Sequence, residues 1–266
     1  MRHPSTFWAA FLILIGALLL LNNFGLLPFD LGAAFWPLLL VLAGLWILVG
    51  SLGGRREMPA EAVVVPLEGA AQAELRLRFG GGQLKVSGGA APEELFKGEF
   101  TGGLDRRSRR KGNRLEVEMR IPPNGWMGIV NPWSWSRGFA WKVALNERIP
   151  IVLDVESGAS DMQLDLEPLQ VKRVRLQTGA SSSVINLPSR AGHVQVSVES
   201  GAASVTLHVP AGVAGRIRAR GGLADIKVDT TRFPRDGDRY ESADFEGAAN
   251  RVEIDVQTGV GSVKID

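Results

Sequence analysis

The stretch that decides the fold is Val194-Gln-Val-Ser-Val-Glu-Ser-Gly-Ala-Ala-Ser-Val-Thr-Leu207, in which apolar and polar residues alternate on both sides of a glycine. The valines at 194, 196 and 198 share one parity, and the residues between them are polar. This alternation predicts a β-strand with one buried face and one solvated face. A chain that reverses direction often needs the positive φ that glycine tolerates. The pattern therefore predicts two strands joined by a turn at Gly201.

The same pattern recurs from residue 75 onward. A repeat near 20 residues long with period-two alternation is typical of stacked β units, which bury a continuous core that one unit cannot form. We predict an all-β repeat domain over residues 71–266, shaped as a β-solenoid-like or β-prism stack. A β-sandwich of hairpins stays as the alternative, because alternation alone does not separate the two. The six copies span 75–86, 151–164, 174–187, 194–207, 217–228 and 252–265.

A basic segment, residues 105–114, interrupts the repeat and is predicted to be a loop. Its simplest interpretation is a solvated charged loop. The alternative is contact with anionic lipid headgroups or with a partner, if the domain is tethered to a membrane. Its basic residues are Arg106, Arg107, Arg109, Arg110, Lys111 and Arg114.

A second interruption, residues 121–141, is rich in tryptophan, proline and glycine, which predicts a loop. It either caps one end of the β stack or forms an interfacial patch that contacts lipid or a partner. Its tryptophans are Trp126, Trp133, Trp135 and Trp141. A third segment, the polar insert 229–246, separates the last two copies.

The first 54 residues differ from the rest, because their titratable side chains are only Arg2, His3 and Asp30. A bilayer core needs about 20 mostly apolar residues in a helix. We predict a transmembrane hairpin over residues 1–54, with helices at about 7–23 and 33–52. A cleaved signal peptide would not explain the second apolar run, and a buried soluble hairpin is the least favoured alternative. The interface anchors are predicted to be Trp8, Trp36 and Trp46.

Lysine and arginine near helix ends predict the orientation. Arg2 precedes the first helix, Arg55 and Arg56 follow the second, and the connecting turn has neither residue type. We therefore predict a two-pass protein of the cell membrane, with both termini and the β domain in the cytoplasm. Residues 55–70 would form a linker and a first β segment.

The composition limits the kinds of functional site that the chain can form. The chain has 266 residues, no cysteine and a net charge of +2. Disulfides and thiolate metal sites are therefore excluded, and the near-neutral charge argues against nucleic acid as a partner. His193 and His208 fall on the polar parity of their strands, and the acidic patch from Asp154 to Glu167 lacks a calcium-loop spacing. We expect no enzyme, no cofactor and no metal site.

Two sets of motifs resemble a known family. Residues 18–28, with Leu-Leu-Leu-Asn-Asn-Phe-Gly at their centre, and residues 35–46, which begin Phe-Trp-Pro-Leu-Leu-Leu, are similar to the LiaI/LiaF-type transmembrane region. The stretch from Trp141 to Ala159, together with 164–169 and 176–181, resembles the C-terminal β domain of LiaF-like proteins, called a toast-rack. Hairpin first and β domain second is also the family's order.

The resemblance implies a bacterial protein anchored in the inner or plasma membrane, a non-enzymatic regulator or sensor of cell-envelope stress that acts by protein–protein contact. Its implied partners are the lipid bilayer and a sensor histidine kinase or another membrane protein, with a homo-oligomer as a further option. A structural or lipid-surface-binding scaffold is the alternative function. The family brings no catalytic motif, so the resemblance transfers no site residues.

Overall fold

The structure is a computed structural model that describes residues 60–122 and 139–266. The predicted hairpin, with Trp8, Trp36 and Trp46, lies outside the described residues. Within the described ranges, no helix has the length and apolar character needed to cross a membrane.

The described residues form strands joined by turns, so the all-β prediction is confirmed for them. Six strands are 15 to 17 residues long, and each contains one copy of the repeat. The strands are β1 (Ala60–Pro66), β2 (Gln72–Gly88), β3 (Glu94–Thr101), β4 (Asp105–Lys111), β5 (Arg114–Arg120), β6 (Ala140–Leu145), β7 (Ile151–Asp165), β8 (Val171–Asn186), β9 (His193–His208), β10 (Ala214–Val228), β11 (Arg235–Asp236), β12 (Arg239–Glu241) and β13 (Arg251–Ile265).

These strands form one mixed sheet in the order β1-β3-β6-β2-β7-β8-β9-β13-β10-β12-β11, with β5 beside β2 and β4 beside β5. The six long strands run parallel to one another, so hairpins of the alternative β-sandwich do not join them. The last copy, β13, lies between β9 and β10 in the sheet. The polar insert connects the end of β10 to β13 and so brings the chain back between these two strands.

The predicted glycine turns are wrong, because each central glycine lies inside one continuous strand. In β8, Leu176 and Thr178 are buried, Gly179 and Ala180 are both exposed, and burial resumes at Ser183. Two successive exposed residues mark a bend, after which the inward parity is displaced by one. The true reversals lie between the long strands, at residues 166–170, 187–192 and 209–213.

The bend divides each long strand into two halves, and in β2 the two halves have different neighbours on one side. The first half of β2 pairs with β5 over 72–78, and its second half pairs with β6 over 83–88. Inward side chains of both halves, such as Val155 and Leu164 in β7, belong to one hydrophobic core. The repeats therefore stack their inward faces as the alternation predicted.

The basic segment 105–114 is not a loop, which corrects the prediction. Residues 105–111 form strand β4, which pairs antiparallel with β5. Arg107 lies opposite Glu118 and Arg109 lies opposite Glu116 in this register. Opposite charges on facing positions stabilise a strand pair, and this offsets the weak β propensity of the charged run.

The described residues of the other two interruptions also pack against the sheet. Trp141 lies in β6 and is fully buried, with its ring centroid 5.2 Å from those of Phe79 and Phe100. The polar insert contains β11 and β12 and buries Phe233 and Phe245 against the end of the sheet. Residues 123–138 lie outside the described ranges.

Candidate functional site

A row of glycines crosses the sheet at the bend, one from each long strand. An added Cβ on Gly179 would lie 2.7 Å from the carbonyl oxygen of Gly158, and one on Gly201 would lie 2.8 Å from that of Gly179. Real Cβ atoms do not approach backbone oxygens this closely, so the packing of neighbouring bends requires glycine. In sheet order, this glycine row is Gly80, Gly158, Gly179, Gly201, Gly259 and Gly222.

The residues that follow the glycine row are small in most strands. They are aligned with one another in the strand register and face outward. At the β10 end, Val260 is 51% exposed and Leu223 is 81% exposed. Four members of the glycine row line the groove described next and form its low, open floor, and these two apolar side chains lie beside the row at one end.

Long polar side chains form a wall along this floor. They occupy the position two residues before the glycine in every long strand, and they are in register across the sheet. Together with the floor they bound a groove of about 1460 Å³. This polar row, in sheet order, is Arg78, Glu156, Gln177, Glu199, Gln257 and Arg220.

Neighbouring members of the polar row bind one another. Arg78 Nε lies 3.3 Å from a carboxylate oxygen of Glu156, and Gln177 Nε2 donates to Glu199 at 2.9 Å. The wall thus carries positive charge at both ends and negative charge between them. Such a surface can bind a polar, extended ligand.

Hydroxyl groups line the inner side of the bend. Ser157 Oγ donates to Ser160 at 2.7 Å, and Thr178 and Ser181 share a hydrogen bond of 3.0 Å. In β9 the equivalent of Ser160 is Ala203, and Ser200 Oγ is buried with no hydrogen-bond partner among the described residues. In β7 and β8 these hydroxyls therefore satisfy one another, whereas the one at Ser200 does not, and the residues that carry them line the groove beside the polar row.

The structure describes only some of the predicted contact residues, and these do not share one surface. Trp141 is buried in the core, so it cannot contact lipid or a partner, and this prediction is wrong because its ring fills the space beside Phe79. Trp126, Trp133 and Trp135 lie outside the described residues. Ile121 and Phe139, the described residues near the two ends of that segment, both line the groove.

The basic side chains line an exposed edge strand. Arg106, Arg107, Arg109 and Arg110 are exposed on β4. Lys111 Nζ lies 2.9 Å from Glu116 and lowers the pKa of that carboxyl through its hydrogen bond, while Arg114 lies 3.5 Å from Glu74. Their predicted contact with lipid headgroups stays a prediction.

The titratable residues do not form a recognisable catalytic cluster in the described ranges. His193 and His208 lie at the surface beside Glu253 and Asp266. Burial raises the pKa of Asp154, and the nearby Glu156 adds to the shift. Across residues 60–122 and 139–266, no group of three His, Cys, Asp or Glu side chains could hold a metal ion.

The sequence analysis did not find the polar row. Its signal is present in the repeats, because an arginine, glutamate or glutamine stands two residues before the bend in every copy. That regularity indicates a shared surface only once the copies are known to be parallel and in register. A hairpin arrangement would have scattered the same residues.

Comparisons with known proteins agree with this architecture. The family model for the N-terminal domain of toast_rack, DUF2154, matches residues 54–208, and that for the LiaI-LiaF-like transmembrane region matches residues 6–48. The fold and these matches define a membrane-associated β-repeat protein. The chain belongs to the toast-rack family, and its resemblance to LiaF-like proteins is confirmed.

One solved structure agrees on the fold. A candidate cell adhesion protein from Clostridium sporogenes has a TM-score of 0.70 and 24% identity, covering 78% of this chain and 98% of its own. A candidate adhesin from Bacteroides fragilis has a TM-score of 0.27 and 9% identity, covering 80% of this chain and 100% of its own, which is too low to carry an argument. No curated protein matches the chain.

Proposed function

We propose that this protein is a membrane-anchored regulator or sensor of bacterial cell-envelope stress, which acts by protein–protein contact and performs no catalysis. The family matches support the membrane anchor and the toast-rack domain. The role in stress regulation is the one that the resemblance to LiaF-like proteins implies. Neither matching family is a family of enzymes.

The groove along the glycine row is the observation that carries the proposal. It crosses six strands, and five spacings of about 4.8 Å make it about 24 Å long. Its polar row carries positive charge at both ends and negative charge between them, and the groove is open to solvent. Such a site fits an extended segment of a protein partner better than a compact small molecule, which prefers an enclosed cavity.

The partner we propose is a sensor histidine kinase of the same membrane. A regulator tethered beside its target acts at a high effective concentration, so a shallow groove with modest affinity is sufficient for regulation. Polar rows contribute specificity and register more than affinity, which suits a contact that must be released when stress is sensed.

A photo-crosslinking amino acid placed at Gln177 in the full-length chain tests this proposal in native membranes. We expect a covalent adduct with a sensor histidine kinase, and weaker crosslinking after exposure to a cell-wall-active agent. The matched control places the same amino acid at Gln163, which is exposed on β7 outside the groove. Equal kinase adducts from both positions, or none from Gln177, would contradict the proposal.

The exposed basic strand β4 favours a second function, that of a lipid-surface scaffold. Five basic side chains in seven residues suit anionic headgroups. A crosslinker at Arg107 in the same membranes separates the two functions. Adducts with lipid at Arg107, together with no kinase adduct at Gln177, would favour the scaffold.

A further inference from the structure

The second half of β10 forms an uncovered edge of the sheet. The first half of β10 is covered at Arg216 and Ile217 by β12. Beyond Ile217, the described part of the chain pairs no strand with the outer edge of β10. A free edge presents unpaired N–H and C=O groups that can pair with another chain.

The core is also incompletely covered at this edge. On β13, Val263 and Ile265 are each 1% exposed. Their neighbours on β10, Ile226 and Val228, are only half-buried, as is Ala224. Leu223, at the start of this half, is 81% exposed. Stacked repeats need a polar cap at their ends, and this half-strand has none in the described residues.

On the side of the first half of β2, the sheet ends at β4, and that edge is protected by its charge. Strand β4 carries five exposed basic side chains, a common device against edge-to-edge pairing. The free half of β10 has no proline and no cluster of like charges, and its only charged residues are Asp225 and Lys227. Its edge is therefore open to pairing, and the occupant must match one acidic and one basic residue.

We propose that a second copy of this chain pairs antiparallel with the free half of β10, with the two-fold axis at Ile226. In this register Asp225 of each copy lies opposite Lys227 of the other, and Ala224 lies opposite Val228. The strand is thus self-complementary in charge. The half-buried apolar residues of both copies lie on one face and extend the core across the axis.

The backbone geometry supports this register. The Asp229 amide donates to the carbonyl oxygen of Ile265 on β13. Because successive residues direct their backbone groups to opposite edges, Lys227 and Asp225 also face β13, and Ile226 faces the free edge. Ile226 and its symmetry mate therefore form a hydrogen-bonded pair. Asp225 and Lys227 fall in the closer, non-hydrogen-bonded pairs, where facing side chains lie nearest to each other.

The chain contains no cysteine, so single cysteines report the proposed contact directly. In the full-length chain in isolated membranes, oxidation of the variant Ile226→Cys should give a disulfide-linked dimer, because the paired Cα atoms would be about 5.5 Å apart. Leu223→Cys is the control. It is far more exposed, but its two copies would be about 20 Å apart. Faster dimer formation at Leu223→Cys than at Ile226→Cys would show random collision and overturn the proposal.

Charge reversal tests the register. Both Asp225 and Lys227 are more than 60% exposed, so their substitution leaves the fold intact. In the Ile226→Cys background, Asp225→Lys or Lys227→Asp should reduce dimer formation roughly tenfold, and the double exchange should restore it. The matched controls Asp161→Lys and Lys85→Asp lie in the same rows of the sheet, several strands away, and should have no effect. Single reversals without effect, or a double exchange that fails to restore the dimer, would overturn the pairing.

Discussion

At the scale of single residues, the glycine row requires glycine because neighbouring backbones approach closely, and not because of an unusual backbone conformation. Gly179 does not have a positive φ, yet a methyl group on it would meet the Gly158 carbonyl oxygen at 2.7 Å. Both strands must shift to admit it, because the obstacle is backbone. We predict that Gly179→Ala lowers the free energy of unfolding by about 1–3 kcal/mol, measured by chemical denaturation.

Gly80→Ala is the matched control for this substitution. Gly80 stands at the end of the same row, and an added Cβ there would meet only the Ile121 side chain, at an ordinary 3.9 Å. We expect a change in unfolding free energy of less than about 0.5 kcal/mol. If both variants lost the same stability, close approach would not be the reason for glycine in the row.

At the scale of elements, the polar insert is attached to the sheet by Arg216. This side chain lies 2.8 Å from Glu241 on β12 and 3.5 Å from Glu253 on β13, and its guanidinium stacks 4.0 Å from the ring centroid of Phe245. Its hydrogen bonds lower the pKa of Glu241 below the ordinary value. A lowered carboxylate pKa adds stability above the unfolded pKa, which is lost as the pH falls through the folded one.

We therefore predict that acid loosens the insert before it unfolds the sheet. Hydrogen exchange of the amides in 229–250 should accelerate as the pH falls below about 4.3, after correction for the intrinsic rate. In the Glu241→Gln variant the charge is absent at every pH, so protection of the insert should be lower at neutral pH and should depend less on acid. An unchanged acid response in this variant would contradict the assignment to Glu241.

The same scale shows how far the sequence predicted the fold. Alternation identified the strands, their buried faces and their repeat length, because these depend on local side-chain pattern. It did not distinguish a bent strand from a hairpin, since both place a glycine between two alternating segments. The true reversals had their own signal, because Pro168, Pro188 and Pro210 stand in them and Gly192 and Gly212 have positive φ.

The insertion of β13 between β9 and β10 could not be predicted from the pattern. The repeat of β13 fits any position in a parallel stack, and only long-range packing selects one. The groove could not be predicted for the same reason. Its polar row forms a wall only because the strand register aligns Gln177 with Glu156 and Glu199. A basic run such as 105–111 was misassigned because charge indicates solvent exposure and does not exclude an edge strand.

At the scale of the whole molecule, the orientation of the β domain decides which partners it can meet. The positive-inside pattern of Arg2, Arg55 and Arg56 predicts a cytoplasmic β domain. A single cysteine at Ser182, exposed on β8, should then react with a membrane-impermeant maleimide only after the cells are permeabilised. A cysteine at Gly25, between the two predicted helices and therefore in the predicted external turn, is the control and should react in intact cells.

The result of this labelling experiment also decides which partners can reach the groove. If Ser182→Cys is protected from the reagent in intact cells, the polar row can reach the cytoplasmic portion of a kinase, and β4 can reach the inner face of the bilayer. Labelling of Ser182→Cys in intact cells would contradict the orientation and place both surfaces against the cell wall. The groove would then meet an extracytoplasmic segment of a kinase, and the crosslink at Gln177 would have to be sought there.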